Sequence, residues 1–305
     1  MGLSTVEFFK TLDSDTTKNL VHLEGEELVR FQKILIGITE DIRKVCEANG
    51  ITYVLLGGSL LGAVRHNGFI PWDDDMDLGI LSDDYDRFIE AFRKEFPDKY
   101  WVHTDDTPEY GMTIGRIRLK GSICRGREDK YMEECGFFVD LFRMENVSNF
   151  KLIRNLHGVL CMGMGLLLSC RVFYRNRELM LELAKGNEEA TKIFKKKIRL
   201  GSLLRFASVR RWAKMTQACH GMCHNSKSTY VAIPSGRKHF FGEIYRRDNM
   251  CKPVMHEFDG HSFAVPADSE SYLKQLYGDY MRIPAPEERE AHILLELKFP
   301  DEENL

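Results

Sequence analysis

The chain has 305 residues, 43% hydrophobic and 29% charged, an ordinary globular balance that excludes a disordered or fibrous reading. Its formal net charge of -3 makes no global case for nucleic acid, so any anionic partner must be met by a local basic patch. Eight scattered cysteines are no disulfide scaffold, and the first ten residues lack a secretory pattern; reduced thiols and a cytoplasmic setting are expected. Val6, where an acylation motif wants Ser or Thr, argues against myristoylation.

Residues 1–24 read as an N-terminal extension. From Glu26 to Asn49 a helix is predicted, because Leu28, Phe31, Ile34, Leu35, Ile38, Ile42 and Val45 share one face and Asn49-Gly50 supplies the stop. Ile51–Leu56 then reads as a buried strand, Ser59–His66 as a short helix and Met76–Leu81 as a second strand. Ser82-Asp83 is expected to cap a helix reaching about Phe96. Further strands are expected at Met112–Leu119 and Gly136–Phe142, which makes 25–150 an α/β core. From 151 to 225 the chain reads as a helical, partly basic insertion without proline or a clear strand. Strand-like pieces return in 226–305 at Tyr230–Ile233 and His261–Val265, followed by a helix at Ser269–Tyr277. The fold class is α/β, in the looser sense α+β: a mixed sheet core with a helical insertion.

The chemistry concentrates between Leu55 and Ile80. An apolar run ends in Gly57-Gly58-Ser59, and Asp73, Asp74, Asp75 and Asp77 crowd together shortly after. Such like charges raise each other's pKa unless a cation neutralises them. A hard divalent ion such as Mg²⁺, or Mn²⁺ in its place, would do so and keep positions for phosphate oxygens. Gly57, Gly58 and Ser59, opening a helix, offer backbone N–H groups to that phosphate. On a strand, Asp75 and Asp77 would share a face. Asp140, isolated between Val139 and Leu141, needs a partner if buried, and the same metal is the simplest one. The competing reading is a solvated acidic turn with Asp140 at a strand end. Arg65 and His66 are candidates for a diphosphate contact or for capping the end of their own helix. Arg116 and Arg118 are candidates for a phosphate clamp, Arg118 in particular, or for a solvated strand face. Trp72 could stack on a base or a quaternary ammonium group, or pack beneath the aspartate loop.

These residues carry a resemblance. Leu56-Gly-Gly-Ser-Leu-Leu-Gly-Ala-Val-Arg-His66, with Gly68-Phe-Ile-Pro-Trp-Asp-Asp-Asp-Met-Asp77 and Phe138-Val-Asp-Leu-Phe142, closely resembles the LicD family, relatives of fukutin with a nucleotidyltransferase-like fold. The similarity resumes at Phe258-Asp-Gly-His-Ser-Phe263 and Tyr277-Gly-Asp-Tyr-Met281, placing Tyr277, Asp279 and Tyr280 near a donor site. The resemblance implies transfer of phosphocholine, phosphoethanolamine or a phospho-alditol from a CDP-linked donor to a lipid-linked or cell-surface glycan such as lipopolysaccharide, teichoic acid or a capsule precursor. Asp75, Asp77 and Asp140 would then hold Mg²⁺, with Asp73 supporting them from behind or acting as general base. One departure stands out: after Phe142 the family has an apolar residue and proline, whereas this chain has Arg143, an added phosphate contact or an altered loop. The alternatives are a true nucleotidyltransferase moving NMP from an NTP, and a catalytically silent glycan- or membrane-binding protein.

Three patches lie outside that motif. Cys219, Cys223 and His224, with His220, Cys251 and His256, offer zinc-type ligands in no recognised finger spacing. Residues 192–214 are basic and amphipathic, which suits peripheral contact with an anionic membrane on its inner face, or a solvated helix packed on the core. Leu156–Tyr174 is apolar but contains Gly158, Gly163, Gly165, Ser169 and Arg171, so it reads as a buried or interfacial helix rather than a span.

Overall fold

The first helix, α1 (Gly25–Asn49), buries Leu28, Phe31, Leu35, Ile38 and Ile42 and stops at Gly50, whose φ of 62° turns its N–H back onto the Cys46 and Glu47 carbonyls. The computed structural model describes residue 21, residues 23–289 and residues 294–301. The expectations for a signal or acylation, and for nearly all of the 1–24 extension, lie outside the described residues.

After α1 come β1 (Tyr53–Leu55), α2 (Gly57–His66), β2 (Asp77–Leu81), α3 (Ser82–Glu95), β3 (Tyr100–His103), β4 (Gly115–Leu119), β5 (Ile123–Gly126) and β6 (Phe138–Val147). Four helices follow: α4 (Lys151–Arg175), α5 (Arg177–Leu183), α6 (Glu188–Leu203) and α7 (Val209–His220). The chain then forms β7 (Tyr230–Ala232), α8 (His239–Gly242), β8 (Ile244–Arg246), α9 (Arg247–Cys251), β9 (Val254–Phe258), β10 (His261–Val265), α10 (Ser269–Tyr277) and β11 (Leu294–Lys298).

The main sheet has the order β1-β2-β6-β4-β3, with β7 and β8 continuing from the far end of β6. It is mixed: β2 and β6 are parallel, while β1–β2, β6–β4, β4–β3 and β6–β7 are antiparallel. One apolar core gathers α1, α2, α3, the sheet, the β9–β10 hairpin and α10, so residues from 25–150 and 226–305 share a single interior. The helical segment instead builds two small clusters of its own, around Phe173, Met180 and Phe194 and around Leu168, Leu204 and Trp212.

Several local expectations are revised. β2 begins at Asp77, so Asp75 lies in the extended approach to the strand rather than within it. Ser82 is the first residue of α3, with Leu81 at the cap position. Its hydroxyl and the Asp83 carboxylate are drawn to β6 instead: Ser82 bonds Glu145, and Asp83 accepts from the Asn146 amide at 2.9 Å. Five strands escaped the pattern reading, β3, β5, β8, β9 and β11, all of five residues or fewer.

Candidate active site

β1 turns into α2 at Gly57, which has a φ of 51°, a conformation that a side chain strains. Leu56 N–H donates to the Asp77 carbonyl at 2.9 Å, and Gly57 N–H to the Tyr272 hydroxyl at 3.2 Å. The N–H groups of Gly58 and Ser59 complete the helix tip. Asp77 N–H donates to the buried Ser59 hydroxyl at 2.8 Å, which pins the start of β2 to the first turn of α2.

The two glycines allow the acidic run to close on this tip. A Cβ on Gly57 would lie 2.7 Å from Asp77 Oδ2, and one on Gly58 would lie 2.8 Å from Asp73 Oδ2 and 3.8 Å from Asp75 Oδ1. Three carboxylates therefore crowd the positive end of a helix dipole, where negative charge is favoured. The loop that delivers them is braced from two sides. Gln32 of α1 donates to the Asp73 carbonyl at 2.9 Å. Asp259, in the turn of the β9–β10 hairpin, accepts Phe69 N–H at 3.0 Å and donates its own N–H to the Asn67 carbonyl at 2.8 Å. Neither brace was legible in the motif.

Tyr277 closes the other side, its hydroxyl 3.8 Å from the Gly57 Cβ position. Burial raises its pKa, Asp77, Asp75 and Asp73 add to the rise, and Arg237 opposes it, so the phenol keeps its proton. The Arg237 guanidinium sits 5.6 Å from the Tyr277 ring centre. Arg237 was missed by sequence reading; only the turn signal in Pro234-Ser-Gly-Arg237 marked the spot. Its turn is shaped by Glu243, 2% exposed, which accepts Lys238 N–H at 2.7 Å.

Burial pushes the Glu243 carboxyl from 4.5 up to about 7, against the pull of the Lys238 N–H and the charges of Arg237 and Lys238. A carboxyl raised on folding stabilises the fold in full below its unfolded pKa, and that contribution is lost as pH rises through the folded value. Stability is thus expected to fall between 4.5 and about 7 on this account. Glu243→Gln, which keeps an acceptor for Lys238 N–H, should remove the loss, gaining up to roughly 3 kcal/mol at about pH 8 and nothing at low pH. Urea unfolding of both proteins across that range reads the difference, and parallel pH profiles would contradict it.

Asp140 stands beside Asp77 as its partner in the parallel β2–β6 register, and opposite Arg116 in the antiparallel β4–β6 register. It is engaged by Arg116, which the sequence reading did not foresee: Nε donates to Oδ1 at 2.6 Å and Nη2 to Oδ2 at 3.2 Å. The register puts the two residues directly across from each other, and the planar guanidinium engages both carboxylate oxygens. Arg116 also lies over the Phe138 ring at 3.9 Å and within 3.8 Å of Asp129. Burial disfavours its charge, but Asp140, Tyr110, Asp129 and Glu128 together raise its pKa.

The remaining candidate side chains also have partners within the fold. Arg116 and Arg118 form no solvated face, because the 127–136 loop covers them. Arg118 is 0% exposed and donates to Asp129 at 2.7 Å and to the Gly136 carbonyl at 3.2 Å, so it is withdrawn from phosphate binding. Arg65 donates to the carbonyls of Tyr280 and Arg282 at 2.8 and 3.1 Å, which ties the chain after α10 to α2. It still feels the charges of Tyr277 and Asp73, which oppose the lowering of its pKa by burial, while Asn67 with a φ of 54° forms the cap of its own helix. His66 lies edge-on to Trp72 at 6.5 Å, its pKa lowered by burial and by Arg65. Trp72 is half-buried on the core, with Arg289 already over its ring at 3.9 Å. Arg143 lies on the opposite face of β6 from Asp140, pairing with Asp105 at 3.1 Å, and so adds no phosphate contact.

The fold type implies a divalent cation, and the donor set supports one in part. Asp75 and Asp77, with Asp73 beside them, are hard oxygen donors grouped at a helix tip, and Mg²⁺ commonly takes one or two carboxylates and completes its shell with water and substrate phosphate. Asp140 could join only by sharing a carboxylate that Arg116 already holds. Among the described residues, no three His, Cys, Asp or Glu side chains stand as a ready-made metal cage, and this includes the group at Cys219, Cys223 and His224.

Residues 50–156 match the model of the LicD/FKTN/FKRP nucleotidyltransferase domain. The chain is 28% identical over 275 residues to the lipopolysaccharide cholinephosphotransferase LicD of Haemophilus influenzae, covering 87% of this chain and 95% of that one. It is 62% identical over 40 residues to the human ribitol 5-phosphate transferase FKRP, a match covering 13% of this chain and 8% of that protein.

Proposed function

From a chain that carries a LicD/FKTN/FKRP-type nucleotidyltransferase domain across residues 50–156, we propose a phosphotransferase acting on a glycan hydroxyl. The donor is a CDP-linked phosphocholine, phosphoethanolamine or phospho-alditol, and the leaving group is CMP. The observation that carries this reading is the Gly57-Gly58 tip of α2 with Asp73, Asp75 and Asp77 packed against it. The names of the two relatives support the class of group transferred.

Asp75 and Asp77 would hold Mg²⁺, which when bound there would supply Lewis-acid neutralisation of phosphoryl oxygens. The Gly58 and Ser59 N–H groups bind a phosphate oxygen at the helix tip. Asp73 takes the proton of the acceptor hydroxyl as its oxygen bonds to the distal phosphorus. The phosphorus–oxygen bond to CMP breaks in the same displacement, and Arg237 and the protonated Tyr277 face the charge that leaves. Positioning and charge neutralisation supply most of the rate enhancement. Asp140, fixed by Arg116, holds the adjoining strand in register. The site works at the inner face of a membrane, on a lipid-linked glycan.

Purified protein incubated with CDP-choline, CDP-ethanolamine, CDP-ribitol and CDP-glycerol, a glycan acceptor and Mg²⁺ should release CMP from one of them, and a chelator should stop it. The domain description keeps one rival: release of pyrophosphate from an NTP, with no CMP from any CDP donor, would make the protein a nucleotidyltransferase instead.

A further inference from the structure

Within the helical segment, residues 192–214 were expected to suit peripheral membrane contact, and Leu156–Tyr174 to form a buried or interfacial helix. The structure buries Phe194, Val209 and Trp212 of the 192–214 stretch and leaves Leu203 and Phe206 70% and 75% exposed at its middle. Arg210 and Lys214 pair with Asp106 at 2.7 and 2.9 Å. The longest run of exposed apolar side chains among the described residues is on α4. Leu152, Leu156, Val159 and Leu166 are 72%, 59%, 62% and 53% exposed, with Ile153 and Leu160 flanking them. Their spacing of three, four and seven residues sets them on one face. Its opposite face is committed to the protein: His157 Nε2 bonds the Cys219 carbonyl at 2.8 Å, and Gly158 abuts Phe240 and Phe241.

We propose that the outer face of α4 docks in the plane of an anionic bilayer, with the exposed basic side chains of α6 at its flank. Charge selects this occupant. α4 contains no acidic residue, and none occurs from Ala190 to Gly242, although the whole chain carries a net charge of -3. Lys195, Lys196 and Arg199 are exposed on α6, which packs along α4 and donates from Lys197 to Ser169 at 3.3 Å. A second copy docked on this face by a two-fold axis would bring the same basic helices together and repel. An amphipathic helix of this composition binds through buried apolar area plus attraction to anionic lipid. α4 is long and apolar enough to cross a membrane, with 33% of its apolar window buried in the protein. Insertion across the bilayer would strip away the His157, Gly158 and Arg171 contacts, whereas docking in the plane keeps them.

The test is flotation of the full chain with vesicles of phosphatidylethanolamine and phosphatidylglycerol, against vesicles of phosphatidylcholine alone. It needs no turnover, so it stands or falls apart from the donor reading. The wild type should float with the anionic vesicles and lose binding at high salt. Leu156→Asp/Val159→Asp should weaken binding by about tenfold or more. Leu152→Gln/Leu166→Gln, a milder pair, should weaken it in the same direction, and unchanged urea midpoints show that both pairs fold. Wild-type protein that stays unbound, or variants that bind as well as it does, would overturn the proposal. So would light scattering that shows a wild-type dimer lost in the variants.

Discussion

Asp77→Asn is expected to lower CMP release by about a thousandfold or more while leaving the protein folded. The substitution is nearly isosteric, and the backbone bonds of residue 77, from Leu56 N–H to its carbonyl and from its own N–H to Ser59, do not depend on the side-chain charge. What is lost is a carboxylate Oδ2 placed 2.7 Å from the Gly57 Cβ position, at the mouth of the helix tip. Asp75→Asn should behave alike. The pair of measurements is CMP release and a urea midpoint. Full turnover in both variants would remove these aspartates from the mechanism, and a collapse of the midpoint would show that their charge serves the fold instead.

Arg116→Met should cost about 3–5 kcal/mol of stability, the largest effect expected of any single change outside the apolar core. It strands Asp140, 9% exposed, and removes a cation from Asp129, 0% exposed, although Arg118 still pairs with the latter. An uncompensated buried charge is far more costly than a pair replaced whole. The double variant Arg116→Met/Asp140→Asn should therefore be more stable than the single one by more than about 1 kcal/mol. Urea unfolding of the four proteins in the cycle gives the coupling directly. A single variant within about 0.5 kcal/mol of wild type would mean that the pair contributes nothing measurable. Because the pair sits one strand from Asp77, the same variant should also slow turnover through the β2–β6 register.

Long periodic elements were readable from residue spacing alone. The apolar stripe of α1, the glycine opening of α2 and the helix Ser269–Tyr277 each obey a local rule of spacing or capping. The strands β3, β5, β8, β9 and β11 did not, because a charged or polar residue breaks each apolar run after three positions or fewer. The acidic motif was likewise legible, since four aspartates next to a glycine turn imply charge that something must neutralise.

By itself, then, the chain determined which residue types bear the chemistry and that they are delivered by a strand–helix turn, since backbone preference and charge crowding act between near neighbours. Tertiary structure decided how each of those groups is used. It gave Asp140 to Arg116 and Arg118 to Asp129, and it set Arg237 beside Tyr277 at a helix tip far away in sequence. It also turned the apolar side of α4 outward. Strand register and helix packing join residues remote in sequence, and no local pattern encodes which distant partner a buried charge will meet.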